Sequence, residues 1–380
     1  MARNQEHEML RDSIRRMVAR DVAPLVASME ESDRFPEELV PIFGDMGLLQ
    51  LWLPEEYGGP GGDLTSVCIA KEEIAKVSLA AATLCGNNSI SFILPILYYG
   101  SEEQKRRWLP LAAEGRLVSA IGITEPQTGS DVSSLRTRAV RDGDSYVING
   151  QKSWITWGGN AHFLLLFART SDAPGSDGIS AFMVDTTTPG FRVGRQEHKM
   201  GRHGSPSHEL YFEDMRVPAD CLLGEEGTGF KACMKVLDLN RPTIAATSLG
   251  LAQGALDVAI DYSRERQQFG KPVGHFQGMQ FKLADMAIQI EAARSLLRTC
   301  TEEIDSGDHA RMTLLSSMTK CFVTDMAMTV TTEAVQVLGA YGYSKEFPVE
   351  RMMRDAKVNQ IIEGTNEIHR MIIGRRLLAS

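Results

Sequence analysis

The spacing of apolar residues divides the chain into three stretches. Residues 1–118 repeat apolar side chains at helical intervals, as Leu39, Ile42 and Phe43 do. Residues 119–226 contain short runs, either alternating or continuously apolar, that are separated by Gly, Pro, Ser and Asp, and this pattern favours strands. The helical period returns after "GEEGTGF" and continues through several long segments.

An order of helices, then strands, then helices predicts an α+β fold whose parts are segregated along the chain. We expect an N-terminal helical domain over residues 1–118, a central antiparallel β domain over 119–226 and a C-terminal helical bundle over 227–380. The length of 380 residues exceeds what a single hydrophobic core supports, which agrees with more than one domain.

Two local signals refine this prediction. Ser101 and Gln104 stand three residues apart at the start of a helical run and predict a capping box. Asn149-Gly150 stands between two β-rich runs in "GDSYVINGQKSWIT" and predicts the turn of a hairpin.

Composition and charge exclude several function classes. The formal net charge of -9 argues against a general nucleic-acid binder, because a phosphate backbone favours a basic surface. The six cysteines are scattered without a C-x-x-C motif, which predicts reduced thiols, and the eight histidines show no metal-ligand spacing, so no metal is expected. There is also no βαβ alternation, no G-x-G-x-x-G after a strand and no G-x-x-x-x-G-K.

The sequence gives no membrane or targeting signal. No run of 18 apolar residues occurs, so no membrane span is predicted. The first 25 residues lack an apolar h-region and carry acidic side chains, unlike a signal or transit peptide. We therefore expect a cytoplasmic protein, or a mitochondrial matrix protein if a transit peptide has been removed.

A glutamate near the C-terminal end is the first candidate for chemistry. Glu363 lies between Ile361-Ile362 and Gly364-Thr365. It is either a solvated residue at a helix start or a base whose pKa is raised by partial burial among apolar neighbours.

Three further stretches combine polar and aromatic side chains. "ITEPQTGSD" puts hydroxyls and free N–H groups at a strand edge, and "QKSWITW" puts Thr156 between Trp154 and Trp157, an arrangement suited to a planar ring. "RERQQFGKPVG" is a basic loop suited to a pyrophosphate. Taken singly, these stretches also fit a capped turn, aromatic residues of a β core and a solvated loop.

Six stretches in one order carry a family resemblance: "ITEPQTGSD", "QKSWIT", "RQQFGK", "EAVQVLGAYGY", "PVERMMRDAK" and Glu-Gly-Thr at 363–365. Together they resemble the acyl-CoA dehydrogenase family of flavoproteins over essentially the whole chain. The resemblance implies non-covalent FAD, a C-terminal four-helix bundle and a homotetramer built as a dimer of dimers. It also implies oxidation of an acyl-CoA thioester to the trans-2-enoyl-CoA, with hydride transfer to flavin N5 and electrons passed to an electron-transfer flavoprotein.

The resemblance assigns a role to individual residues. Glu363 matches the base that removes the α-proton, and its backbone N–H matches a donor to the thioester carbonyl. The positions that match FAD contacts are Ile123, Thr124, Ser130, Trp154, Thr156, Arg266, Gln268, Phe269, Gln277, Gln336, Gly339, Ala340, Thr365 and Glu367. The positions that match substrate contacts are Ser130, Asp238, Arg241 and Gly364.

Some features depart from the family or leave the substrate open. Asn240 stands where some relatives carry their base, and Asn cannot act as one, so this chain must use Glu363. The stretch "LCGNNSISF" is expected to line the far end of the acyl pocket. Its two asparagines, Asn87 and Asn88, fit either a polar or branched acyl tail or a helix end, and no Arg there would clearly anchor a dicarboxylate.

Three alternatives to this function remain at the level of sequence. The first is an oxidase that passes electrons to O₂. The second is a dehydrogenase acting on an acyl carrier protein thioester. The third is a non-catalytic flavin-binding or nucleotide-binding scaffold, against which the presence of Glu363 argues.

Overall fold

The computed structural model describes residues 2–379; Met1 and Ser380, the outermost residues of the predicted terminal domains, lie outside it. The N-terminal part is helical, and its α-helices are α1 Ala2–Met17, α2 Val26–Ser32, α3 Leu39–Asp45, α4 Leu64–Ala75, α5 Leu79–Leu84, α6 Leu94–Tyr99 and α7 Glu102–Ala113. The predicted capping box is confirmed, since Ser101 Oγ accepts from Gln104 N while the Gln104 side chain accepts from Ser101 N.

The central part is one twisted sheet. Its strands are β1 Ser119–Gly122, β2 Arg138–Asp142, β3 Ser145–Thr156, β4 Phe163–Arg169, β5 Ile179–Asp185, β6 Phe191–Gln196, β7 Ser207–Pro218 and β8 Leu222–Leu223. The strands run in the order β6-β7-β3-β2-β4-β5-β8, with β1 also on β4. The pairing is mainly antiparallel as predicted, but β4 pairs in parallel with β1 and, at one residue pair, with β2.

The C-terminal part returns to helices, with one small hairpin inserted. Its elements are α8 Gly229–Glu265, the strands β9 Gln267–Gln268 and β10 Lys271–Pro272, then α9 Gln277–Asp305, α10 Met312–Leu338, α11 Val349–Asn359 and α12 Asn366–Leu378. Helix α10 packs against α8, α9, α11 and α12. The predicted three-part architecture is therefore confirmed.

The predicted hairpin turn at Asn149-Gly150 is wrong. Strand β3 continues through both residues, and the turn into it from β2 is Gly143-Asp144, where Gly143 has a φ of 61°. Asn149 instead exchanges hydrogen bonds of 3.0 and 2.8 Å with Asp214 on β7. Gly150 marks a bulge in the β3–β7 pairing.

Two helical segments are long and apolar enough, by length and composition, to cross a membrane. They are Leu79–Tyr99 and Gly229–Glu265, and 89% and 78% of their apolar windows are buried inside the protein. Such burial is typical of core helices in a globular fold. The second segment, α8, shares a hydrophobic core with Leu64 and Cys68 on α4, so the two helical parts pack directly on each other.

Asn87 and Asn88 connect the N-terminal helices to the sheet. The Asn87 side chain donates to Ser119 O, and the Asn88 side chain donates to Leu117 O and accepts from Ser119 N at 3.0 Å. Both amides therefore bind the backbone around the first strand. This supports the structural interpretation of the pair over contact with a polar acyl tail.

Candidate active site

Glu363 lies in the short connection between α11 and α12. Its φ is 58°, in the left-handed region that side chains other than Gly rarely adopt, and Gly364 follows with a φ of 92°. Thr365 then caps α12, its hydroxyl accepting from Ile368 N at 3.4 Å. A strained backbone of this kind persists only where surrounding contacts hold it, and it is common at functional sites.

Lys320 and His369 hold this connection from two sides. Lys320, fully buried on α10, donates from Nζ to Gly364 O at 2.8 Å and to Asn366 Oδ1 at 2.9 Å. His369 places its ring Nε2 3.2 Å from Glu363 O. Burial, helped by the charges of Arg241 and Lys320, lowers the pKa of His369 to about 3, so the ring is neutral near pH 7.

Glu363 is half-buried, and one oxygen of its carboxylate is withdrawn from solvent. Within residues 2–379, its Oε2 is buried without a hydrogen-bond partner. Burial raises the pKa of Glu363, and the nearby Asn240 amide and the charges of Arg241, Lys320 and Lys71 partly offset that rise. Asn240 faces the carboxylate, although no hydrogen bond of normal length and angle joins the two.

The surroundings of Glu363 differ from the apolar ones expected from its sequence neighbours. Ile361 is 52% exposed. The carboxylate instead lies within the electrostatic reach of Lys71, Arg241 and Lys320. The raised pKa therefore results from withdrawal of the carboxylate from water, against the effect of nearby positive charge.

Asp238 and Arg241 are buried as an ion pair on α8, 7% and 4% exposed. Asp238 also accepts from the Thr313 hydroxyl at 2.6 Å. Arg241 Nε is buried without a partner among the described residues. The pair lies beside the Glu363 connection, where the positive charge of Arg241 lowers the pKa of both Glu363 and His369.

Trp154 and Thr124 lie together at one end of the sheet. The β3–β7 pairing is irregular between Lys152 and Ile155, and Trp154 has a φ of 61° and is 58% exposed. Ser153 N donates to Thr124 O at 2.9 Å, which joins this bulge to the segment that follows β1. Thr156, half-buried, ends β3 just beyond it.

A buried ion pair supports this end of the sheet. Lys152 and Glu125 are 0% and 3% exposed, and Lys152 Nζ donates to Glu125 Oε1 at 2.8 Å and to Ile123 O at 3.0 Å. Glu125 also accepts from the backbone N–H groups of Arg136 and Thr137. The pair fixes the loop that carries Thr124 and, at its exposed tip, Ser130.

Cys233 on α8 lies between the Glu363 region and the end of the sheet that carries Trp154. Burial raises the pKa of its thiol, with a further increase from the charge of Glu363, while the charges of Arg241 and Lys152 lower it. One side chain is thus within electrostatic reach of both the Glu363 carboxylate and the Lys152–Glu125 pair. The candidate base and the Trp154 end of the sheet therefore lie on the same region of the molecule.

Trp157 does not belong to the site. Its side chain is fully buried and packs edge-on against Phe35, with ring centroids 5.6 Å apart. Of the two tryptophans considered for a planar ligand, only Trp154 offers an open ring face.

The other residues matched to FAD contacts lie on the β9–β10 hairpin or at the ends of helices, and all but the half-buried Thr365 are exposed. Arg266, Gln268 and Phe269 form the β9–β10 hairpin, and Phe269 is 93% exposed with a φ of 54°. The remaining positions lie at the first or last turn of a helix. Gln336, Gly339 and Ala340 lie exposed at the end of α10, Gln277 begins α9, and Thr365 and Glu367 begin α12.

These residues fit a flavin dinucleotide. Trp154 presents an aromatic face beside hydroxyl groups, as a planar ring system requires. The space beside Gly129 and Gly339 is open, since an added β-carbon would meet nothing within 4 Å at either position. Phe269 and the cationic Arg266 are available for an adenosine diphosphate moiety.

Sequence reasoning missed three cations at the site: Lys320, already described, Lys71 and Arg202. Lys71 on α4 is 4% exposed, and Arg202 lies in the loop between β6 and β7. Lys71 occupies the same helical stripe as Leu64, Val67 and Ile74, so a charged residue at a core position was the available signal. Arg202 gave no such signal, because only the fold brings it to this region.

Family models match almost the entire chain. The N-terminal, middle and C-terminal domains of acyl-CoA dehydrogenases match residues 4–116, 120–215 and 227–378.

Individual relatives match at full length. Cyclohex-1-ene-1-carbonyl-CoA dehydrogenase of Geobacter metallireducens is 46% identical over 375 residues, covering 98% of both chains. Butyryl-CoA dehydrogenase of Megasphaera elsdenii superposes with a TM-score of 0.93 at 41% identity, covering 98% of both chains.

A third match comes from the structure described as the electron transferring flavoprotein of Acidaminococcus fermentans. One chain of it superposes with a TM-score of 0.94 at 42% identity, again over 98% of both chains. Agreement of three domain models, of sequence and of fold over the whole length leaves one conclusion. The chain belongs to the acyl-CoA dehydrogenase family of flavoprotein oxidoreductases.

Proposed function

We propose that this acyl-CoA dehydrogenase converts an acyl-CoA to the trans-2-enoyl-CoA, with Glu363 as the base that removes the α-proton. The observation that carries the proposal is the Glu363 carboxylate itself. One of its oxygens is buried without a partner, and its pKa is raised. A structural carboxylate would be hydrogen-bonded or solvated, whereas a base must keep a free lone pair for its proton.

The backbone of Glu363 supports the same step. Among the described residues, its N–H has no hydrogen-bond partner. An α-proton of a thioester is too weakly acidic for a carboxylate unless the developing charge on the carbonyl oxygen is stabilised. A free N–H next to the base, in a site shielded from water, supplies such a donor.

The surrounding residues keep the base in position and in the right protonation state. Lys320 binds Gly364 O and His369 binds Glu363 O, and these contacts hold the backbone that carries the carboxylate in one position. The positive charges of Arg241, Lys320 and Lys71 oppose the rise in the pKa of Glu363 that burial causes, which favours the ionised form that a base needs.

Trp154, Thr124 and Thr156, with the β9–β10 hairpin and the end of α10, would hold FAD. Bound FAD supplies the two-electron acceptor for a hydride from the β-carbon of the substrate. The likeness to a chain from the A. fermentans electron transferring flavoprotein structure supports an electron-transfer flavoprotein as the next acceptor. We further propose a cytoplasmic homotetramer, in which the exposed hairpin with Phe269 meets a neighbouring subunit.

The test is Glu363→Gln, which keeps the shape of the side chain and removes its basicity. We expect the variant to bind FAD and assemble normally. Reduction of its bound FAD by acyl-CoA should be slower by about 10²–10⁴-fold or more. Anaerobic bleaching of the flavin absorbance measures this rate. Glu302→Gln, an exposed change on α9, is the matched control. Unchanged bleaching by Glu363→Gln would remove the base assignment.

The same preparation separates the rival acceptors and carriers. Rapid reoxidation by air would identify an oxidase, whereas reoxidation by an electron-transfer flavoprotein identifies a dehydrogenase. Flavin bleaching by acyl carrier protein thioesters but not by CoA thioesters would show that the substrate is carried by acyl carrier protein rather than by CoA.

A further inference from the structure

Two positive side chains lie against the same end of α5 without an anionic partner in contact. Arg202 donates from Nε to Thr83 Oγ1 at 3.1 Å, which fixes its guanidinium beside that helix. Lys71 packs its Cε 3.4 Å from the position that a β-carbon on Gly86 would take. Among the described residues, neither cation has a carboxylate within 4 Å, and Lys71 has no hydrogen-bond partner.

The positions of these groups coincide with the expected far end of the acyl pocket. Gly86 and Ser89 belong to the stretch "LCGNNSISF". Ser89 Oγ lies 3.9 Å from the same β-carbon position on Gly86 and is buried without a partner in the described part of the chain. Three polar groups therefore converge on one buried region, and two of them have no hydrogen-bond partner.

Burial disfavours the charged forms of both Lys71 and Arg202. Burial lowers the pKa of Lys71, and Arg202 lowers it further, while the thiols of Cys85 and Cys68 and the Glu363 carboxylate raise it. Burial also lowers the pKa of Arg202 to about 10, against the attraction of Asp355 and Glu363. Lys71 is buried and Arg202 half-buried, and two such cations that repel each other are costly without a bound anion.

Glu363 cannot serve as that anion throughout the reaction. As the base it accepts a proton and becomes neutral, which leaves Lys71 and Arg202 less compensated at that moment. Asp355 is also committed elsewhere, since its Oδ1 accepts from the Arg202 backbone N–H and its Oδ2 lies 3.8 Å from Arg351.

We propose that Lys71 and Arg202 bind a carboxylate at the far end of the acyl group, so that the preferred substrate is the CoA monothioester of a dicarboxylic acid. The inference rests on the proposed function, because it takes the α-carbon to lie at Glu363. The distal carboxylate makes and breaks no bond. It supplies the negative charge that the pocket lacks, and Ser89 offers it a hydroxyl donor.

The proposed anchor comes from outside the stretch that was expected to line the far end of the acyl pocket. No Arg lies in the stretch "LCGNNSISF", and so no dicarboxylate anchor was expected there. The structure brings Arg202 to this stretch from the sheet and Lys71 from α4.

The test compares thioesters of equal chain length with and without the terminal carboxylate. Glutaryl-CoA is paired with pentanoyl-CoA, and adipyl-CoA with hexanoyl-CoA. The wild-type holoenzyme is expected to favour at least one carboxylated member by about tenfold or more in kcat/KM. Lys71→Met and Arg202→Met are expected to reduce that preference by about ten- to a hundredfold, mainly through a higher KM for the carboxylated member. Any loss that comes from a raised pKa of Glu363 should be the same for both members of a pair.

Control variants distinguish binding of the distal carboxylate from effects on folding and on the pKa of Glu363. Arg298→Met removes an exposed charge on α9, and Lys71→Arg keeps the charge and should retain the preference. If kcat/KM fell equally for both members of a pair, so that the preference did not change, the proposal would be overturned. The cations would then act only on the pKa of Glu363. Bleaching by uncharged thioesters alone overturns this inference but keeps the proposed function, whereas bleaching by no thioester overturns both.

Discussion

At the scale of single residues, the properties of Glu363 come from competing forces. Withdrawal from water raises its pKa, and nearby cations lower it, so the resulting value depends on how many cations remain. Lys320 contributes in two ways, since it carries one of these charges and its Nζ binds the backbone of the same connection.

Replacement of Lys320 by Met is therefore expected to change the pH dependence of flavin reduction. Loss of the positive charge raises the pKa of Glu363, and in the proposed mechanism only the ionised carboxylate is active. The acidic limb of the rate profile should consequently move to higher pH. The variant also removes the Lys320 hydrogen bonds to Gly364 O and Asn366 Oδ1, at a cost of about 1–3 kcal/mol in unfolding free energy.

Stopped-flow reduction between pH 5 and 9 measures the limb, and rates normalised to bound FAD remove the effect of lower stability. Lys105→Met, which removes a lysine paired with Glu102 in the N-terminal domain, should leave the limb in place. An unmoved limb in Lys320→Met would show that Lys320 has only a structural role.

Sequence identified Glu363 because a short motif surrounds it, and the family resemblance identified Arg241, but neither identified Lys71, Lys320 or Arg202 as neighbours of the base. Lys71 and Lys320 occupy positions on the buried faces of their helices, where a lysine interrupts an otherwise apolar or small-residue pattern. Arg202 lies 119 positions from Thr83, to which it donates. A contact of that kind depends on how the domains pack, which local patterns do not encode.

At the scale of elements, β3 shows how tertiary contacts override a turn signal. Asn149-Gly150 favours a hairpin, yet β3 pairs with β2 on one side and β7 on the other, and the strand continues. The glycine is still required, for a different reason. A β-carbon at position 150 would lie 2.6 Å from Thr137 Oγ1 and 2.8 Å from Thr137 Cα.

Gly150→Ala is therefore expected to destabilise the protein by about 1–3 kcal/mol, because the backbone of β2 or β3 must move. Chemical denaturation monitored by circular dichroism measures the change. Gly374→Ala is the matched control, since nothing lies within 4 Å of the added β-carbon in α12 and a helical Gly→Ala change is neutral or stabilising. Equal stability of the two variants would contradict this account of β3.

Other element-level predictions succeeded where the signal was local. The Ser101–Gln104 capping box depends on residues three apart, and both of its hydrogen bonds form. The alternation that predicted strands also depends on neighbours along the chain. Pairing partners, the bulge at Trp154 and the parallel contacts of β1 depend on distant segments and could not be inferred.

At the scale of the whole molecule, α9 exposes an apolar face. Phe281 and Ile288 are 59% and 66% exposed and lie seven residues apart, on the same side of the helix. Other large apolar side chains are exposed on neighbouring helices, among them Phe322 on α10 and Met371 and Leu378 on α12. Such exposure marks a surface for association, which fits the proposed homotetramer.

The double variant Phe281→Glu with Ile288→Glu should dissociate the tetramer, because four or more buried charges at an interface are not compensated. Size-exclusion chromatography with light scattering measures the mass. Met9→Glu, on an equally exposed apolar residue of α1, should leave the mass unchanged. A wild-type monomer, or a tetramer that survives the double change, would contradict the assignment of this face.

The order of the three parts could be predicted at this scale because each part has its own periodicity. The way in which the parts share a core could not, since contacts such as those of α4 with α8 join segments far apart in the chain.

Glu363 and the two cations of the further inference come from all three parts of the chain. Lys71 lies on an N-terminal helix, Arg202 in a loop of the sheet, and Glu363 between two C-terminal helices. In the proposed assignment, reaction and selectivity are therefore encoded in different regions of the gene. A duplicated copy can acquire a new acyl preference through one or two changes in a region that carries no reacting group. Divergence of substrate range in this lineage need not disturb the step that breaks the carbon–hydrogen bonds.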